Sequence, residues 1–347
     1  MHRIARIFIP ILALSAAFTV PAAGQQGPDT AWVPVVERPA YGGSGPRVGI
    51  DQAHRNFHTA TGNYRPFATL LRRDGYRVSA STQPFTRESL SAFDVLVVAN
   101  ARGGDDVETV SSAAFPAAER AALREWVRGG GSLLLIADHQ PFGAAAEALS
   151  LEFGVGMSKG FTRDTTPGRS GRSQSFLRFT RENGLLGRHP ILEGRDARER
   201  VGEVMSFTGQ SLSIPAAAAA LLVLSPTAED RAPPTVAELR EQAAQQQRVI
   251  DSIAAAARGG GARDTAVRAT RLAPAGEARY SPAAGRAQAV ALAFGTGRVV
   301  VLGEAAMLSA QVIEIPGREI GRMGLNVPGH DDQQFALNVM HWLSRLF

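Results

Sequence analysis

Two stretches decide the fold: Asp94-Val95-Leu96-Val97-Val98-Ala99-Asn100, and Gly129-Gly130-Gly131-Ser132-Leu133-Leu134-Leu135-Ile136-Ala137-Asp138-His139. Each is an apolar run of strand length that breaks off into polar residues, the pattern of a strand buried on both faces. Between them, residues 117–128 carry Leu123, Trp126 and Val127 on one helical face and stop at the triple glycine. Strand, helix and strand in this rhythm predict an α/β fold with a doubly wound, mainly parallel sheet and helices on both faces.

The same rhythm extends both ways. Upstream, Arg47-Val48-Gly49-Ile50 enters a polar loop; a helix then presents Phe67, Leu70 and Leu71 and ends at Gly75. A strand over 77–81 and a short helix over 86–93 follow. Downstream, residues 289–294 and 298–302 flank Gly295-Thr296-Gly297 and read as a hairpin, and a last helix over 332–346 turns Phe335, Val339, Trp342 and Leu346 inward.

The rest is less regular. Residues 1–24 have Arg3 and Arg6, then an apolar run, then Ala22, Ala23 and Gly24, which is the layout of a secretory signal peptide cleaved near Gly24. That run is short for a membrane span. The expectation is a chain exported to the periplasm or the medium, with no stable membrane span once mature. Residues 25–46 form an extended lead-in to a single domain over 47–347. Within it, 226–287 reads as a low-complexity helical insertion, opened by the capping-box spacing of Thr235 and Glu238. Residues 158–175 carry Lys159, Arg163, Arg169 and Arg172 without apolar periodicity, a solvated loop before a basic lid. His189 precedes Pro190 in a turn and is expected to be structural.

Composition narrows the function. The sequence has no cysteine, which excludes a disulfide framework, a thiolate metal site, a lipid-modified cysteine and a cysteine nucleophile. A formal charge of +5, without a basic stripe interleaved with aromatics, gives no case for nucleic acid. Chemistry-bearing residues gather at strand ends instead: Asp51, His54 and His58; Asn100 and Arg102; Asp138 and His139; Glu304; and His330 with Asp331 before the last helix. In a parallel sheet those carboxyl-end loops line the crevice where ligands bind.

Neutral imidazoles and carboxylates suit a divalent metal such as zinc, with His54, His139, Asp51 and Asp138 as the ligand set. The same groups equally suit metal-free acid–base work, or a small molecule, sugar or peptide held in the crevice. Plainer roles stand beside these. Asp51, Asp331 and Asp332 can cap, Glu304 can accept backbone bonds at a helix start, His58 and Arg102 can be solvated, and Asn338 can make a buried structural bond.

The order IDQAHRNFH (50–58), DVLVVANA (94–101), WVRGGGSLLLIAD (126–138), RHPILEG (188–194), GRVVVLGEA (297–305) and DDQQFALNVMHWL (331–343) resembles the class I glutamine-amidotransferase-like superfamily. The likeness is to the branch holding auxiliary proteins of gliding-motility ABC transporters and a related intraflagellar-transport domain, and it covers roughly 47–225 and 288–347. It implies a flavodoxin-like fold and, through the accessory roles of that branch, an envelope protein partner. The catalytic members place a cysteine at a sharp turn after a central strand. Here the comparable turn is Ala137-Asp138-His139-Gln140-Pro141, and no Gly-x-Ser-x-Gly elbow replaces it. Two functions follow as expectations: an exported ligand- or partner-binding domain without glutaminase activity, and an exported hydrolase, metal-assisted or not, using the His/Asp cluster.

Overall fold

A computed structural model describes residues 25–166, 173–258, 278–314 and 319–347. The leader over 1–24, and Arg169 and Arg172 of the basic loop, lie outside the described residues. Among the described residues fifteen strands form, in chain order: β1 (Gln25–Pro28), β2 (Arg47–Asp51), β3 (Arg77–Ser81), β4 (Val95–Ala99), β5 (Ser132–Ile136), β6 (Phe161–Asp164), β7 (Arg178–Thr180), β8 (Glu203–Met205), β9 (Ala218–Val223), β10 (Ala228–Arg231), β11 (Tyr280–Pro282), β12 (Ala287–Phe294), β13 (Gly297–Leu302), β14 (Ala310–Glu314) and β15 (Gly321–Gly324). The helices are α1 (Arg65–Arg73), α2 (Arg87–Leu90), α3 (Ala117–Arg128), α4 (Phe142–Ser150), α5 (Pro190–Glu193), α6 (Val236–Arg258) and α7 (Asp332–Leu343).

Seven strands build the central sheet in the order β3-β2-β4-β5-β13-β12-β9. The first five are parallel, and β12 alone runs against its neighbours. Taken in sequence order those five read 2-1-3-4-5, the flavodoxin-like arrangement. Side chains alternate across the sheet. Val95, Val97 and Ala99 of β4 face the core under α1 and α7, where Phe67, Leu71, Phe335 and Val339 pack. Leu96 and Val98 face the other core, under α3 and α4, with Leu123, Val127, Phe142 and Leu149. Each fully buried aliphatic or aromatic side chain contributes roughly 1.5–3 kcal/mol, so the strand assigned from its unbroken apolar run is also a main source of stability. Gly75 ends α1 at φ 94°, with a backbone path so close that a Cβ would sit 2.0 Å from the Tyr41 carbonyl oxygen.

Three regions depart from the sequence expectation. The lead-in is partly tied down: β1 pairs with β14 in a small sheet, β1-β14-β15, and Trp32 and Val36 pack on the core. Residues 226–287 hold more than a helix. The capping box forms, with the Glu238 amide donating to Thr235 Oγ1 at 3.2 Å, but β10 and β11 extend β6 into a third sheet. In it Asp230 is buried and accepts from Thr162 at 2.6 Å. Lastly, Lys159 pairs with Glu147, and Arg163 pairs with Glu229 and lies over the Tyr280 ring. Two of the four basic residues of the 158–175 loop are therefore engaged within the fold. Among the described residues no helix is long and apolar enough to cross a membrane.

Candidate functional site

The carboxyl ends of β2, β4, β5 and β13 bring most of the singled-out residues to one edge, where they separate into two polar clusters.

The first centres on His54. Its Nδ1 lies 2.9 Å from Asp51 Oδ2 and its Nε2 lies 2.9 Å from Glu119 Oε2 on α3. Phe85 and Phe115 pack on the ring at centroid distances of 4.4 and 4.7 Å. Asp51 also accepts from Asn56 Nδ2, and Glu119 from the Phe85 amide. Burial pulls the imidazole pKa down, but the bonds and charges of Asp51 and Glu119 outweigh it and the net shift is upward. With a carboxylate at each nitrogen, both nitrogens carry protons and donate, which leaves no lone pair for a metal. The zinc set of His54, His139, Asp51 and Asp138 does not fit this geometry. Asp138 belongs to the other cluster, His139 stacks on Phe161 and donates from Nδ1 to the Gln140 carbonyl, and the two histidines share no partner. Among the described residues no three His, Asp or Glu side chains converge on a metal position.

The second cluster is a closed ring of contacts. Asn100 follows β4 directly at φ 46°, a left-handed conformation that asparagine tolerates better than most residues. Its Oδ1 accepts from the Asp138 amide at 2.9 Å, which fixes the side-chain orientation. Its Nδ2 then donates to Asp138 Oδ2 at 2.7 Å and to His58 Nδ1 at 3.1 Å. His58 therefore carries its proton on Nε2, an atom that is buried without a partner among the described residues. The His58 ring packs on Tyr64 at 4.6 Å, the Tyr64 hydroxyl donates to the Ala305 carbonyl at 3.0 Å, and the Ala305 amide donates to Asp138 Oδ1 at 2.7 Å. Glu304 adjoins the ring and accepts from the amides of Ala306 and Met307, as the plainer reading of that residue anticipates.

Electrostatics follow from burial. Asp138 is pushed up to about 6 by burial, against the pull of Asn100 and the Ala305 amide. Glu304 is pushed well above the carboxylate range by burial and then by Asp138. Burial alone pushes His58 down to about 3, and His139 goes down to about 4. The expectation that His58 is solvated is corrected, since its side chain lies in the core. Arg102 is half-buried and donates to the Arg55 carbonyl.

The remaining residues have structural partners. Asp331 does not cap α7 with its side chain; it accepts from the amides of Gly202 and Glu203. Asp332 accepts from the Met205 amide and pairs with His330 at 3.2 Å. Asn338 donates to the carbonyls of Ile191 and Glu199, and His189 caps α5 by accepting from the Ile191 amide. Sequence reasoning missed Tyr64, Asn56 and Glu119. Glu119 is acidic in the first turn of α3, a pattern that alone signals only a favourable helix-dipole position.

No protein-family model matches the chain, and no curated protein matches it either. Solved structures do. The mmIFT52 N-terminal domain aligns with a TM-score of 0.53 at 13% identity, covering 86% of this chain and 97% of that one. The chain shares that domain's fold. Two proteins titled ThuA-like also align: one from Bacteroides uniformis (TM-score 0.41, 11% identity, 90% of this chain and 94% of that one), the other from Parabacteroides merdae (TM-score 0.39, 10% identity, 87% and 90%).

Proposed function

We propose that the chain is an exported domain of glutamine-amidotransferase-like fold that binds a small polar ligand at the carboxyl edge of its sheet and does not hydrolyse glutamine. The turn after β5 carries the proposal: in a sequence without cysteine it offers no thiol nucleophile, and its Asp138 is held by Asn100 and the Ala305 amide. Asp138 is half-buried as a residue, whereas Asn100, His58 and Glu304 are buried, so it is the member of the ring nearest to solvent. A sugar or peptide hydroxyl or amide supplies the matching donor.

The test has two arms. Purified protein incubated with glutamine should release no ammonia above buffer, and a thermal-shift screen of small sugars and peptides should return a ligand. Such a ligand at about 100 times its Kd adds about 2.7 kcal/mol to stability, a gain that Asp138→Asn should abolish. Ammonia release that disappears in Asp138→Asn overturns the proposal, as does a ligand whose effect persists undiminished in that variant.

One observation favours a hydrolase as a second reading. A carboxyl raised to about 6 is suited to act as general acid near neutral pH. That reading requires hydrolysis of an aryl ester or glycoside that falls as pH rises through about 6 and is lost in Asp138→Asn.

A further inference from the structure

α6 is the longest helix among the described residues, 23 residues or about 34 Å. Its sequence keeps a seven-residue repeat: Val236, Ala243, Ile250 and Ala257 recur at one position of it, and Leu239, Gln246 and Ile253 at another. These residues fall on one stripe along the helix, the seam pattern of a two-stranded coiled coil. The charges keep clear of it. Glu238, Glu241, Arg248, Asp251 and Arg258 take positions away from the stripe, and of the charged residues only Arg240 flanks it.

The ion pairs that tie α6 to the rest of the fold, Glu238 with Arg279 and Arg240 with Glu108, lie near its start. Among the described residues no strand and no other helix packs along it. Even near the start the stripe is open to solvent: Val236 is 43% exposed, Ala243 is exposed and Leu239 is half-buried. Isolated helices are marginal in water and take most of their stability from packing an apolar face. A long helix held at one end therefore gains from a partner along its seam.

Two features point to a second copy of the same helix as that partner. Gln246 lies at the middle of the stripe, whose ends are residues 236 and 257, so a two-fold pair sets it beside its own counterpart. An amide can both donate to and accept from an identical amide. The positions flanking the seam, Gln242 and Val249 on one side and Arg240, Gln247 and Ala254 on the other, hold one charge, and Glu108 already pairs with it. Two copies thus meet without like-charge repulsion along the seam.

We propose that α6 is a self-association helix, through which two copies of this chain pair as a short two-stranded coiled coil. Gln246 sets the register and the number of strands at a cost in strength, so the pairing is reversible. The inference is independent of the carboxyl-edge ring and of any reading of its function.

Sedimentation equilibrium of the purified chain, from micromolar to near-millimolar concentration, should show a mass rising from one chain toward two. Ile250→Glu places a charge in the seam and should weaken the dimer about 100-fold or more. Arg248→Glu, on the outer face, should leave it as it is, and Gln246→Leu should strengthen it about tenfold. Because the sequence has no cysteine, Gln246→Cys gives a direct reading: mild oxidation should link two chains, and should not do so in Arg248→Cys. A monomer at every concentration overturns the proposal, as does a dimer that survives Ile250→Glu or is weakened by Gln246→Leu. Oxidation that links Arg248→Cys as readily as Gln246→Cys overturns it as well. So does an Ile250→Glu variant that unfolds, as followed by its tryptophans, none of which lies in α6, because the stripe would then be packed on its own chain.

Discussion

His54 and His58 lie four residues apart in one loop, yet the two clusters shift their pKa values in opposite directions. His54 has a carboxylate at each nitrogen and is held protonated; His58 has an amide donor at one nitrogen, no partner at the other among the described residues, and is held neutral. Both are buried, and burial lowers both. What separates them is that Asp51, from β2, and Glu119, from α3, accept from His54 and offset its burial, while His58 meets only the Asn100 amide at the end of β4 and has no such offset.

The largest expected effect comes from removing a charge partner of His54. Asp51→Asn should destabilise the protein by about 3–5 kcal/mol, the usual cost of breaking a buried pair, as read by urea unfolding. Because the His54 pKa is raised in the folded state, the stability it contributes is fully present below its ordinary value of 6.5 and is lost as pH rises through the folded value. The Asp51→Asn deficit should shrink correspondingly on the alkaline side. A pH-independent deficit would mean that His54 is uncharged and the contrast with His58 is false.

His58 runs the other way. Its folded pKa is depressed to about 3, so between 6.5 and that value the unfolded chain binds the proton and the folded chain does not. Stability should fall with acid across that window by about 1.4 kcal/mol per pH unit from this residue alone. His58→Phe should remove that slope while lowering stability at pH 7. An unchanged acid slope would assign it to His139, itself depressed to about 4, or to other groups.

The smallest effect isolates the backbone. Asn100→Ala and Asn100→Gly lose the same three side-chain bonds, but only glycine adopts φ 46° freely. The glycine variant should be the more stable by about 1 kcal/mol, a difference that chemical denaturation resolves. Equal stabilities would show that the turn relaxes out of the left-handed region.

How much of this was legible in the sequence varies with the physical basis of each element. β4, β5 and the β12–β13 hairpin could be read because burial writes long apolar runs. β6, β10 and β11 are short and polar, and their pairing joins residues about sixty positions apart, a separation no local pattern encodes. The site divides likewise. Asp51, Asn100, Asp138 and Glu304 were legible as polar residues closing strands. Their partition was not, because it depends on Glu119 and Tyr64, which look locally like an exposed helical acid and a loop residue two positions ahead of a proline. The zinc expectation failed for the same reason, since a histidine's partners, not its spacing, decide whether a lone pair remains.

Ala305 closes the second cluster with main-chain atoms only, its amide to Asp138 and its carbonyl to Tyr64. The link is thus indifferent to side-chain chemistry at 305, provided the residue is small enough for a fully buried position. What it does require is the path of the chain leaving β13, so a slip of that strand by one residue would open the ring with every polar side chain still in the sequence. Geometry at this edge is inherited from strand pairing as much as from the residues that decorate it.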